Sequence, residues 1–373
     1  MSSHANPDIV TDGLAFIYDT GSGKSYKGEP TVNVVANPLP TAGWSTANAQ
    51  GSAITRTYLE EDGKPFMRFS AVTNGSDYPR VTNSVFANSA TITGTFSTSL
   101  EVRGTAGAVL RFRIYQNGST KITNSITLTS EWTRYTFDNQ TTGFNLNQPY
   151  FNPATSNATY DIRNIQVEAK GHSTQFVDGT RSTTQGLLDL TKNETITLSN
   201  MSYDSNAQMS FDGTDDQFLI SNPGVGTSFS IETVIKVDSY SNGPIFVSPN
   251  SVGIDHFFRV NSNGTIRANF VEVPDTANDG YTSTTVINTG EYYHVVISKT
   301  PSNGTIYVNG VAEDSHTPTL AAAAWSGDWR IGARWNNTYN LNGEIPILKV
   351  YNKALTASEV LQSYNATKDR FIR

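Results

Sequence analysis

Two carboxylates placed across a sugar bond make a glycosidase, so acidic residues are the first chemistry to look for. Such pairs stand roughly 5–10 Å apart and are often set by alternate residues of one strand. No Glu-x-Asp-x-x-Glu run occurs in the chain. Glu232 lies between Ile231 and Thr233 with no acidic residue two positions away, and Glu272 runs into Val273-Pro274-Asp275, where proline interrupts a strand. A lone strand carboxylate of this kind is expected to be a solvated surface group. The five histidines, His4, His172, His256, His294 and His316, include no His-x-x-x-His pair, which argues against zinc. His294 is expected to pack or bond on a sheet face. There is no cysteine, so thiolate chemistry and disulfides are excluded. No Gly-rich loop joins a strand to a helix, so a nucleotide phosphate has no cradle. The expectation is a protein that is not an enzyme.

Recognition chemistry is better represented. Sugar binding needs flat apolar faces beside hydrogen-bonding groups. Trp325, Trp329, Arg330, Arg334, Trp335, Asn336 and Tyr339 bring both together in one loop-rich segment. The alternative is that one or two of these tryptophans fill a sandwich core, as Trp44 and Trp132 are expected to do.

The elements that would position these groups are strands. Phe229, Ile231, Thr233, Ile235 and Val237 alternate with more polar neighbours, the period of a half-buried strand, and Tyr293, Val295 and Ile297 repeat it. In Ala108–Tyr115, Val109 or Leu110 alternates with Arg111 and Arg113. Asn263-Gly264, Asn303-Gly304 and Asn309-Gly310 suit the positive φ of type I′ hairpin turns. One helix is legible: Thr356 caps it, Glu359 completes a capping box, and Val360, Leu361 and Tyr364 give it an apolar face. Charged residues make up only 16% of the 373, against 37% hydrophobic, and Thr, Ser, Asn and Gly fill the difference, as exposed sheets and tight turns require. A net charge of −7 argues against nucleic acid, which needs a basic face. No apolar run approaches the roughly 20 residues that span a membrane, and Met1–Val10 lacks the apolar centre of a signal peptide, so synthesis and folding in the cytoplasm are expected.

Several fragments resemble known families. Phe211-Asp212-Gly213-Thr214-Asp215-Asp216 with Phe218-Leu219-Ile220 is similar to the opening of laminin-G-like, concanavalin A-type jelly rolls. The likeness continues through Phe229–Glu232, Tyr292–Val296, Gly304–Gly310, Gly343–Ile345 and Val350–Glu359, in family order. Asn37-Pro38-Leu39 with Trp44, Glu131–Phe137 and Tyr160–Glu168 resemble strands of carbohydrate-binding-module jelly rolls. Gly13–Asp19 with Lys24-Ser25-Tyr26 resembles the first strand of phage laminin-G-like domains, which leads there straight into a segment like Gly186–Thr191. The fold expected from these resemblances is all-β: two jelly-roll sandwiches, the carbohydrate-module-like one inserted into the laminin-G-like one, with one short C-terminal helix. The expected limits are 11–30 plus 182–373 for the laminin-G-like domain, 31–181 for the inserted one, and 1–10 as a flexible tail. The alternative is two domains in tandem, with Met1–Pro30 as the tail.

Both families often hold calcium, which the resemblance places at Asp212, Asp215 and Asp216; the alternative is an acidic turn that caps its own amides. The family's usual acidic residue after Gly-x-Ile is Pro346 here, which weakens any site that would have used it. Gln175–Ser182 and Gln362–Ala366 with Arg370-Phe371 also resemble phage virion proteins. The implied function is a non-catalytic component of a phage virion surface, a head decoration or a tail or fibre part, made in the host cytoplasm. Its implied partners are other phage structural proteins and host surface polysaccharide, bound weakly through many copies or a homo-oligomer, with no nucleic acid and no membrane. The competing reading is a soluble bacterial lectin or a glycanase accessory module. An assembly factor absent from the finished particle is a third.

Overall fold

The computed structural model describes residues 8–48, 53–72, 79–83, 86, 90–116, 119–204, 207–249, 255–270, 280–317, 325, 327–334, 336 and 339–372. It is all-β with one C-terminal helix, Ala357–Phe371. The chain divides into two compact units, one formed by Met1–Gly28, Thr183–Asp204 and Gln208–Arg373, the other by Glu29–Ser182 with Ser205–Ala207.

The discontinuous unit is a sandwich of an eight-stranded and a seven-stranded sheet. Leu14–Asp19 pairs antiparallel with Asn342–Tyr351, so the start and end of the chain share one sheet. The break in this unit is closed locally: Lys27 N–H donates to Gly186 O at 2.8 Å and Leu188 N–H to Ser25 O at 2.9 Å. Phe16, Tyr18, Phe218, Ile231, Ile297, Trp329 and Leu348 fill the space between the sheets at 0% exposure. Burying each such side chain stabilises by about 1.5–3 kcal/mol.

The strand Phe229–Ser239 is buried on both faces rather than half-buried. Its second face lies under the C-terminal helix and the segment before it. Ser230 Oγ donates to Lys353 O and accepts from Leu355 N–H, while Ser298 Oγ donates to Leu355 O. Thr356 and Glu359 form the expected capping box. The buried helix face differs from expectation: it is Val360, Ser363 and Thr367, spaced i, i+3 and i+7, and Leu361 is 49% exposed. That face is partly polar because it covers charged groups, described below. Of the expected tail, residues 8–10 are docked: Val10 is buried and its carbonyl accepts from Tyr351 Oη.

One of the three Asn-Gly pairs makes a turn with both residues at positive φ: Asn309 at 49° and Gly310 at 80° join Gly304–Val308 to Val311–His316. At Asn263-Gly264 only the glycine has positive φ, and Gly304 lies within a strand, where a Cβ would stand 2.5 Å from the Tyr281 ring.

The second unit is a sandwich of two five-stranded sheets. One runs Thr133–Leu146, Ile92–Gly104, Ala158–Glu168, Lys64–Val72, Ala53–Glu61; the other runs Trp44–Ala47, Arg80–Asn83, Gln148–Pro153, Val109–Gln116, Ser119–Thr127. Where the chain enters and leaves, Thr31-Val32 pairs with Thr180-Arg181, and Arg181 Nη1 donates to Glu29 O at 3.0 Å. Trp44 fills the core as expected, 2% exposed, with its ring 5.3 Å from that of Phe151. Trp132 does not. It is half-buried among arginines, with the guanidinium carbons of Arg163 and Arg103 at 4.0 and 4.6 Å from its ring and its Nε1–H donated to Glu61.

Candidate functional site

The aromatic segment singled out in the sequence does not form one platform. Strand alternation turns Trp329 and Ile331 inward and Arg330 outward. Trp329 is 0% exposed, its ring 4.4 Å from Phe246 and stacked 4.9 Å from Trp325. It is a core residue, which corrects its expected place in a sugar site. Trp325 is half-buried against the same core, packing edge-on to His256 at 4.6 Å. Arg330 donates to Gln217 Oε1 at 2.8 Å on the outer sheet face. Arg334, Asn336 and Tyr339 share a loop bracketed by the Ala333–Asn340 bridge, with the Arg334 guanidinium 5.9 Å from the exposed Tyr339 ring. Trp335 lies outside the described residues.

Asp212, Asp215 and Asp216 do converge, their carboxylate oxygens within 4.8 Å of one another. Asp216 accepts from Asp212 N–H at 2.6 Å and from Ser202 Oγ, Asp212 accepts from Thr214 N–H, and Asp215 accepts from Asn200 Nδ2. Burial pushes the Asp216 carboxyl up to about 6, with the Asp212 charge adding to it and the hydrogen bonds opposing it. Hard carboxylate oxygens suit calcium, but that ion takes six to eight of them. Four of the six oxygens here already accept hydrogen bonds. The turn is therefore held together by its own donors.

The strongest electrostatic feature is structural. Glu232, expected to be solvated, is 1% exposed beneath the C-terminal helix. Its Oε1 accepts from Lys349 Nζ at 2.7 Å, His294 Nε2 at 3.0 Å and Ser363 Oγ at 2.6 Å, and its Oε2 accepts from Tyr351 Oη at 3.1 Å. Burial alone would raise this carboxyl, but the Lys349 ammonium and the His294 bond outweigh it and hold Glu232 far below the usual carboxylate range. Burial and then the Glu232 charge push the Tyr351 phenol far up. A carboxylate with four donors and no open side ties helix to sheet; it is not placed to meet a substrate.

A site that sequence reasoning missed lies in the second unit, on the face of its Arg80–Asn83, Gln148–Pro153, Val109–Gln116 sheet turned away from the core. Phe112 and Phe151 pair across the strands and stack inward at 5.1 Å. Their neighbours in register therefore point outward: Tyr150 opposite Arg113 and Thr82, and Asn152 opposite Arg111. An outer sheet face is ordinarily wet, yet Tyr150 is 0% and Asn152 3% exposed, so this one is recessed. Pro79, just before Arg80, forms part of the rim, its carbonyl accepting from Asn152 Nδ2 at 3.2 Å. Tyr150 Oη bonds Thr120 Oγ1 at 2.7 Å, and its ring meets that of Tyr115 at 65°. Asn152 Oδ1 and Arg113 Nε are buried and lack a hydrogen-bond partner among the described residues. Each unpaired buried group costs about 1–3 kcal/mol until something meets it. Aromatic rings, an amide and guanidinium groups in a recess, some of them unsatisfied, are the makings of a site for a polar, many-hydroxylated ligand. The alternation of Arg111 and Arg113 with Leu110, Phe112 and Ile114 was visible in the sequence; the partner row Gln148, Tyr150, Asn152 becomes visible only with the strand register.

Residues 212–361 match the family model of the concanavalin A-like lectin/glucanases superfamily. No curated protein matches the chain in sequence. Among solved structures, domain 4 of a GH43 extracellular arabinanase from Geobacillus stearothermophilus, in complex with arabinotriose, is 18% identical over 49% of this chain and 93% of its own, with a TM-score of 0.38. The ligand binding domain of botulinum neurotoxin serotype D, in complex with N-acetylneuraminic acid, is 13% identical over 49% of each chain, with a TM-score of 0.38. The sialidase of Trypanosoma rangeli, in complex with the inhibitor DANA, is 11% identical over 85% of this chain and 53% of its own, with a TM-score of 0.40.

Proposed function

We propose that the protein is a non-catalytic glycan-binding component of a phage virion surface, taking host polysaccharide on the recessed face of the second unit. The observation that carries glycan binding is the burial of Tyr150 and Asn152 on a face turned away from the core, with Asn152 Oδ1 and Arg113 Nε unsatisfied. The described strand residues of that face include no carboxylate, and the buried Glu232 of the other unit is fully engaged, which supports binding without hydrolysis. The virion reading is supported by the fragments resembling phage proteins, Gly13–Asp19, Gln175–Ser182 and Gln362–Ala366. Many weak copies on one particle would bind a cell surface tightly through avidity. The same face would serve a free bacterial lectin or a glycanase accessory module.

A glycan microarray with the full chain tests the binding, alongside Tyr115→Ala, which removes one wall of the recess. Retained oligosaccharides that Tyr115→Ala loses would support the proposal; equal binding by both would move the site elsewhere. Immunogold labelling of the parent particle tests display. Label on head or tail is expected, and its absence with an antibody competent for native protein would favour the free lectin.

A further inference from the structure

We infer that the ligand of the recessed face is an acidic polysaccharide, its carboxylates held by the guanidinium groups of Arg80 and Arg113. This deepens the glycan-binding reading and rests on it. Strand register places Arg80 and Arg113, together with Arg111, on the same side. Arg111 and Arg113 flank the inward-facing Phe112, and Arg80 flanks the inward-facing Val81, whose partner is Phe151. Residues two apart on a strand stand about 7 Å from one another, so Arg111 and Arg113 rise from neighbouring points of one row.

The opposite sheet of the same unit supplies the contrast. There Arg68 and Arg103 both bond Asp161, at 2.7 and 3.0 Å, and Arg163 bonds Glu101 at 2.7 Å. On the recessed face, neither the Arg80 side chain nor that of the half-buried Arg113 makes a hydrogen bond or ion pair among the described residues, and the described strand residues there include no acid. Against a net charge of −7, two guanidinium groups without a partner among the described residues run counter to the molecule's balance. Guanidinium presents paired N–H donors whose spacing fits a carboxylate, and charge-assisted bonds of this sort are about twice as strong as neutral ones. The ring of Tyr115 and the free Oδ1 of Asn152 then meet the uncharged part of the sugar, the amide oxygen accepting from a hydroxyl.

The test measures the full chain by calorimetric titration against matched pairs: oligogalacturonate and its methyl ester, sialyllactose and lactose, oligomannuronate and oligomannose, with sulfated lactose as a further anion. At least one carboxylated member is expected to bind about ten-fold more tightly than its neutral counterpart, with the advantage shrinking as salt is raised. Arg113→Met is expected to remove that advantage while the unfolding midpoint stays put, Arg113→Lys to restore part of it, and Arg80→Ser, on the exposed rim, to weaken it. Equal binding of acid and ester, a preference for the sulfate alone, or an unaffected Arg113→Met would overturn the carboxylate assignment and leave glycan binding standing. No binding to any member, with the array also blank, would overturn both.

Discussion

Replacing Lys349 by methionine keeps the length and most of the volume of the side chain and removes one charge from beneath the C-terminal helix. Glu232 is then a 1% exposed carboxylate that has lost its only lysine, keeping His294, Ser363 and Tyr351 as donors. Stranding one member of a buried ion pair costs about 3–5 kcal/mol. For a domain of roughly 200 residues, each kcal/mol moves the midpoint by about 2–4 °C, so a fall of about 6–20 °C is expected by scanning calorimetry. The pH dependence carries a second signature. In the native protein Glu232 has a depressed folded pKa, so its contribution is present above the unfolded value and is lost as pH falls through the folded one. In Lys349→Met burial acts without the lysine to oppose it. The carboxyl is then held down less strongly, so the loss of stability toward low pH should be shallower than in the native protein. Lys349→Met with Glu232→Gln removes both charges and is expected to recover much of the loss, since a neutral pair strands no ion. A fall under 2 °C for the single variant, or a double variant less stable than the single, would refute the view that this network latches the helix.

Three further outcomes are expected. Burial, and then Lys299, lower His256 to about 4 from its ordinary 6.5, so its contribution to stability drains away as pH falls between those values, by about 2 kcal/mol from pH 7 to 5; His256→Gln should flatten the calorimetric midpoint over that range. Gly332 has φ +86° and a Cβ there would lie 2.1 Å from the Phe211 ring, so Gly332→Ala should cost about 2–4 kcal/mol in denaturant unfolding, where Gly224→Ala, with open space around it, should cost only its backbone strain. Calcium at about 1 mM should leave the midpoint unchanged within 1 °C, because amides and hydroxyls already occupy the Asp212–Asp216 turn; a saturable rise that Asp215→Asn abolishes would instead place the ion there.

Local chemistry was legible where it depended on neighbours in sequence. The Thr356–Glu359 capping box and the Asn309-Gly310 turn each need only a few residues to specify them. Reading failed where a distant segment decided the outcome. Leu361 looked like helix face by its type, but the face was set by what the helix covers, and its polar member Ser363 answers to Glu232 and Lys349 on strands far away in sequence. Glu232 looked solvated because its four donors come from positions 294, 349, 351 and 363. Trp329 was misplaced for the same reason: strand alternation fixes which side a ring takes, but not which side is core. The recessed face was half visible, since Arg111 and Arg113 alternate with apolar residues, while Tyr150 and Asn152 join them only through pairing some 40 residues away.

The central claim, that a glycan sits in the recess of the second unit, is tested most directly by the crystal structure of the full chain with the best-retained oligosaccharide from the array. The account predicts sugar density beside Tyr115 and Asn152, with a hydroxyl bonded to Asn152 Oδ1 and a group of the ligand on Arg113. Sugar bound instead at the Arg334–Tyr339 loop, with the recess filled by water, would contradict it.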